Sequence, residues 1–136
     1  MNSATAKNRQ PKWFNIYHQK MTVEQLRQQL QTLPESIVFA EVIALIDAHY
    51  DFTPTAFNNG NTHNEAGQNN GSCKLFSFAR MQDFSEQETL HCFGDFYRKD
   101  VLLHPDGTDH QNIRNFMQFG WNGIRFEGQA LTPKSQ

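Results

Sequence analysis

The sequence predicts one compact α+β domain, mostly α, of about four to five helices with a small two-stranded β patch. Three observations carry that expectation. Long stretches repeat apolar residues at helical spacing, punctuated by Pro, Gly and N-capping residues. Two short segments, 50–57 and 124–126, alternate apolar and polar residues as a strand does. A chain of 136 residues, 38% of them hydrophobic, is long enough for one buried core. Twelve Phe predict that aromatic rings build it.

Residues 1–20 read as an N-terminal extension. Polar residues dominate up to Lys12, and Trp13, Phe14, Ile16 and Tyr17 then make a short sticky patch. Met21 is read as the start of the domain and as an alternative start of translation. Thr22 and Gln25 form a capping-box pattern opening a helix over 22–33, with Val23, Leu26, Leu30 and Leu33 on one stripe. Pro34 stops it. The next helix, over 35–50, is apolar almost all round and is expected to be the central buried one. Beyond residues 58–72 a short helix carries Leu75, Phe76 and Phe78. Ser85 and Glu88 form a second capping box, opening a helix over 86–103. Its apolar face is Leu90, Phe93, Phe96, Tyr97, Val101 and Leu103. Asp109 is expected to cap a helix carrying Ile113, Phe116 and Met117, which Gly120 and Gly123 close. Segment 124–126 is expected to pair with 53–57, and the domain, 21–131, ends in a polar tail over 132–136.

The function classes narrow by exclusion. A net charge of −2 with mixed signs argues against nucleic-acid binding or a basic membrane patch. No apolar run approaches the roughly 18–20 residues of a membrane span. Two cysteines, Cys73 and Cys92, make no disulfide scaffold and suit a reducing compartment, so a cytoplasmic location is expected.

The most unusual stretch is 58–74. Its first fourteen residues hold six Asn and three Gly and no bulky apolar residue. Asn and Gly tolerate left-handed backbone angles, so the chain can turn sharply there and present N–H groups inward. Asn58, Asn59, Asn64, Gln68, Asn69, Asn70, Ser72 and Lys74 are therefore candidate ligand-binding residues. The His104-Pro-Asp-Gly turn and His110, with Arg98, are read as closing one polar pocket with them. Three residues are candidate acid–base groups. Glu41 projects between Ile37, Leu45 and Ala48, where a carboxylate must meet a donor or sit at a cavity. Asp100 lies on the apolar face of its helix with His104 at i+4, a spacing at which a carboxylate can orient an imidazole. His49 is read as a packed histidine at a helix end. His104, Asp106 and His110 are metal ligands by type, but their spacing matches no zinc motif and a turn plus cap explains the aspartates. No metal or cofactor is expected.

Five motifs then point to a family. Phe57-Asn-Asn-Gly60, Asn64-x-Ala-Gly-Gln-Asn-Asn-Gly-Ser-Cys-Lys-Leu-Phe76, Thr89-Leu-x-Cys-Phe-Gly-Asp-x-Tyr-Arg98, His104-Pro-Asp-Gly-Thr-Asp-His-Gln-Asn-Ile-Arg114 and Gly120-Trp121-x-Gly-Ile together resemble the HopJ type III effector family. The likeness spans residues 22–131. It implies a bacterial protein delivered into plant cells by a type III secretion system, and it implies no particular activity, cofactor or catalytic residue. Secretion thus stands as the alternative to a cytoplasmic location, and the polar leader 1–12 is compatible with it.

Three functions follow, in this order. The first is a module binding a small polar or anionic ligand between the Asn/Gly loop and the His-Pro-Asp-Gly turn. The second is an enzyme using Glu41, or Asp100 with His104, as acid and base. The third is a protein–protein interaction module, its surface including Trp121 and the patch at 13–17, acting on a host or bacterial partner. Under all three the loop is expected to be ordered, because its amides can satisfy their own turn backbone. Hydrogen exchange across 58–70 slower than that of a random coil checks this. A chain starting at Met21 is expected to melt within a few degrees of the full chain.

Overall fold

The computed structural model describes residues 21–135; the expectations for residues 1–20 lie outside them. The Thr22 hydroxyl accepts from the Gln25 N–H at 3.1 Å, and Gln25 Oε1 accepts from the Thr22 N–H at 2.9 Å. This reciprocal cap opens α1 (Val23–Thr32), which buries Leu26 and Leu30 and leaves Leu33 exposed beyond its end. A 3₁₀ turn, Pro34–Ser36, follows before α2 (Phe39–His49). Strand β1 (Tyr50–Phe52) continues directly from α2, and β2 (Phe57–Asn59) and β3 (Thr62–Asn64) form a hairpin. Then come α3 (Asn70–Met81), α4 (Glu86–Cys92), one π-helical turn (Phe96–Val101) and α5 (Gln111–Phe119). A 3₁₀ turn, Gly120–Gly123, leads into β4 (Ile124–Phe126) and β5 (Leu131–Pro133).

Helices dominate, and the strands form two small antiparallel sheets, β1-β5 and β3-β2-β4. The fold is the expected mostly helical α+β domain. Strand β4 pairs with β2, Phe57 opposite Phe126, a register displaced toward the hairpin from the expected partner 53–57. The end of the chain was expected to be a polar tail. Instead Leu131, Thr132 and Pro133 lie opposite Phe52, Asp51 and Tyr50, and Leu131 is buried.

The central helix is α3, not α2. Cys73, Leu75, Phe76, Phe78 and Ala79 are all buried, so α3 is covered all round. Helix α2 starts at Phe39, later than expected, and buries only Val42, Leu45 and Ile46. The Phe76 ring is the hub of the aromatic core, 5.4 Å from Phe93 and 5.0 Å from Phe116. It also meets Phe57 at 6.2 Å and Trp121 at 6.3 Å, tying β2 and the turn after α5 to α3.

The expected helix over 86–103 is two elements. The Ser85–Glu88 capping box forms as expected, but α4 stops at Cys92 and the chain breaks at Gly94. Gly94 has φ +64°, and a Cβ there would lie 2.9 Å from the Phe39 nitrogen. The break therefore lets α2 approach backbone to backbone. Past it, the Leu102 N–H bonds Tyr97 O five residues back, the π-type bond that widens the turn. Gly94→Ala is expected to cost about 2–4 kcal/mol, since left-handed strain and the collision with Phe39 add. Urea unfolding of the variant measures it.

Candidate functional site

The Asn-rich loop folds as a hairpin followed by the start of α3, and its amides meet α5. Asn59 and Asn64 are fully buried. Asn59 Nδ2 donates to Asn112 O at 2.8 Å and to Asn112 Oδ1 at 2.9 Å. Asn64 and Asn112 form a reciprocal amide pair, Nδ2 to Oδ1 at 3.2 Å one way and 3.0 Å the other. Asn69, at the start of α3, adds a bond to Asn64 Oδ1 at 2.7 Å. Asn115, one turn along α5, donates to Asn59 O at 3.0 Å and to Thr62 Oγ1 at 2.7 Å. So the loop and the chain after the His-Pro-Asp-Gly turn do meet, but through a buried amide network. Buried amides held by partners of matching polarity stabilise and specify a packing, and half-satisfied ones destabilise it. Asn59 Oδ1 is the one buried side-chain atom of this network without a partner among the described residues.

The other loop candidates serve local geometry. Asn58 Oδ1 lies 2.6 Å from His63 Nδ1 on the exposed side of the hairpin. Gln68 Oε1 accepts from the Glu65 N–H at 2.9 Å and closes the turn before α3. Lys74 reaches Asp47 at 2.9 Å and lies over the Phe52 ring at 5.0 Å. Asn70 is exposed and Ser72 half-buried in the first turn of α3.

The acid–base candidates are scattered. Glu41 is exposed in the first turn of α2, because the late start of that helix turns Val42, Leu45 and Ile46 inward instead. His49, expected to be packed, is exposed. Asp100 does not face His104. The break at Gly94 and the π turn end the helix before the expected i+4 pair, and His104 stands exposed in the following turn. Asp100 instead meets His110 at 3.1 Å, its side chain 48% exposed. Asp109, expected as a cap, pairs with Arg114 at 2.7 Å, and this hydrogen bond holds its carboxyl below the usual range. His110 caps α5 in its place, in a left-handed conformation. Neither thiol is a poised nucleophile: burial raises the Cys73 pKa and pushes Cys92 up to about 12. No cluster of three His, Cys, Asp or Glu among the described residues could hold a metal ion.

Arg98 spends its guanidinium on three backbone carbonyls, Pro34 at 3.2 Å, His91 at 3.1 Å and Ile37 at 2.5 Å. These bonds fasten the segment before α2 onto the end of α4. Beside His91 the Arg98 charge adds to the larger effect of burial, and both lower the imidazole pKa. The clamp shapes a groove of about 300 Å³ at the start of α2. Phe39 and Phe93 stack at 5.8 Å, and Phe96 meets Phe39 edge-on at 5.4 Å. Val38 and Phe96, lining the groove, are 49% and 42% exposed. Glu35 and Asp95 also line it, and Glu41 follows Ala40 on the same first turn. Glu35 and Glu41 have no ion pair among the described residues, whereas Asp95 pairs with Arg98 and Lys99. Sequence reasoning missed this groove, placing Val38 and Phe96 on buried faces of longer helices; Gly94 was the one signal of the break.

Since the Asp100–His110 pair is largely solvated, Asp100→Asn is expected to shift stability by less than about 1 kcal/mol. Thermal unfolding of the variant checks it.

Comparison with known proteins follows the fold. No curated protein matches the chain. A solved structure, the crystal structure of the unknown function protein VPA0580, is 54% identical with a TM-score of 0.82. The match covers 87% of this chain and 98% of that one. The family model described as HopJ type III effector protein matches residues 23–131, from the first residue of α1 to the first of β5. The chain belongs to the HopJ type III effector family.

Proposed function

We propose that the domain is a protein-binding module, and that the groove at the start of α2 receives a partner segment bearing a bulky apolar side chain flanked by Lys or Arg. The observation that carries this reading is a formed cavity edged by two solvent-exposed apolar side chains, Val38 and Phe96. Isolated exposed apolar residues are ordinary, but a cluster over a concavity marks docking surfaces. The stacked Phe39 and Phe93 and the Arg98 clamp hold the floor, so little ordering is needed on binding. Val38 caps α2 with no side-chain acceptor, which suits a partner carbonyl over the first turn. Glu35 and Glu41 favour basic flanks. An effector, as the family is described, acts through a partner, and this groove gives it a place to do so.

Acid–base catalysis has less support, because Glu41, Asp100 and His104 are each exposed and Asp100 pairs with His110 instead. A small polar or anionic ligand at the loop remains a second reading. Asn69 and His110 both cap their helices in the left-handed region with no side-chain acceptor, and Asn64 links Asn69 to Asn112 in the first turn of α5. The first-turn N–H groups of α3 and α5 thus lie close together.

Selection of a random peptide library against the protein separates these readings. Enriched peptides are expected to carry a Trp, Phe or Leu beside Lys or Arg and to lose at least about tenfold in affinity for Phe96→Glu or Val38→Glu. Melting of both variants should change little beside the loss of affinity, since about half of each residue already faces water. Peptides binding the variants as tightly as the parent, or no enrichment, contradict the proposal.

A further inference from the structure

We infer that His91 is a proton sensor for this groove: a proton on its ring pulls against the Arg98 clamp and weakens docking. The inference rests on the groove being a docking site, and it adds how that site is regulated. His91 lies in the last turn of α4. One Arg98 nitrogen, Nη1, bonds both His91 O at 3.1 Å and Pro34 O at 3.2 Å, while Nη2 bonds Ile37 O. The backbone of His91 is thus tied through one guanidinium to both ends of the segment that carries the groove residues Glu35 and Ser36.

The surroundings of the imidazole resist a proton. Gln87 Nε2 lies 3.2 Å from His91 Nε2 and also donates to the Tyr97 hydroxyl at 3.3 Å, and the Tyr97 ring meets the imidazole edge-on at 5.9 Å. With that donor at Nε2, the single proton of the neutral ring belongs on Nδ1, which is buried without a partner among the described residues. A second proton, on Nε2, meets the donor head-on, so the Gln87 amide must turn over and its bond to Tyr97 with it. A helix end ordinarily favours imidazolium, but the Arg98 charge already holds the His91 carbonyl. The other charges nearby are Glu35 on the 3₁₀ turn, Asp95 paired with Arg98, and Glu88, whose carboxylate accepts from the Ser85 N–H. Burial first and Arg98 second lower the ring's pKa, against a smaller pull from Glu35. The unfolded chain therefore takes the proton first, and the preference of the fold for a neutral ring is lost as pH falls from the ordinary histidine value through the lowered one. In that window the new charge repels the Arg98 guanidinium and attracts Glu35. Both forces act on Pro34–Ile37: the clamp loosens, and a carboxylate is drawn away from the basic flank of a docked segment. Docking in turn lowers the His91 pKa further, because the coupling is reciprocal.

NMR titration of the full chain tests this. The Ile37 amide and the Arg98 side-chain nitrogens are expected to shift together with the His91 ring, at one midpoint below the ordinary histidine value, and to stay flat in His91→Gln. Gln87→Glu places a carboxylate at Nε2 and is expected to move that midpoint up, which keeps the test open should His91→Gln not fold. His110→Gln, at a ring that meets Phe96 at 5.2 Å, is expected to leave the response intact. Library peptides are expected to bind the parent at least about fivefold more weakly at about pH 5 than at about pH 7, a difference absent from His91→Gln. Ile37 and Arg98 signals that stay flat through the His91 titration overturn the inference. So does a response that survives His91→Gln, ignores Gln87→Glu or disappears in His110→Gln. Peptides that bind equally well at both pH values also overturn it and leave the docking reading standing. A library that enriches nothing overturns both.

Discussion

The reciprocal amide pair between Asn64 and Asn112 is the interaction on which the arrangement of this half of the molecule depends. Its partners come from segments 48 residues apart. Around it Asn59, Asn69 and Asn115 add bonds, so β2, β3, the start of α3 and the first turns of α5 are fastened at one point. An amide removed from water without partners costs about 1–3 kcal/mol on protein scales. Several brought together with matched donors and acceptors instead specify one packing, because a shift of a single strand residue would leave most of them unpaired. This accounts for three of the six Asn in the stretch, Asn59, Asn64 and Asn69, without calling on a ligand.

The groove depends on a different pair of constraints. Gly94 allows α4 to end and the chain to pass against the Phe39 backbone, and Arg98 then bonds Ile37 and Pro34 from the far side of that break. Phe96, displaced by the π turn from the buried face a straight helix would have given it, stands at the edge of the cavity. It touches both Phe39 and the His110 ring. The shape of this groove is thus set by a backbone irregularity. π turns are uncommon and concentrate at functional sites, which fits the role assigned here.

Local signals in the sequence were read well and long-range ones were not. Both capping boxes, Thr22 with Gln25 and Ser85 with Glu88, depend on residues three apart and form as expected. The mostly helical class follows from periodicity alone. The bonds of the amide network to α5 join residues 48 to 56 positions apart, so each Asn reads locally as a turn former. The break at Gly94 is short of the usual Pro or Asn-Gly punctuation, and its cause, the close passage of Phe39, lies in another element. Asp100 and His104 fit a helical pair on paper because spacing assumes 3.6 residues per turn, and the π turn removes that premise. Glu41 and Val38, both expected on buried faces, are exposed for a like reason, the later start of α2.

A double-mutant cycle on Asn64→Ala and Asn112→Ala, read by urea unfolding, tests the claim that the Asn-rich loop is a structural lock. Each single variant leaves a buried amide without its partner, and removing the second amide then costs little more. The expected coupling is about 1–3 kcal/mol. Single costs that add to within about 0.5 kcal/mol would contradict it, and would return the loop to the role of a surface held open for a ligand.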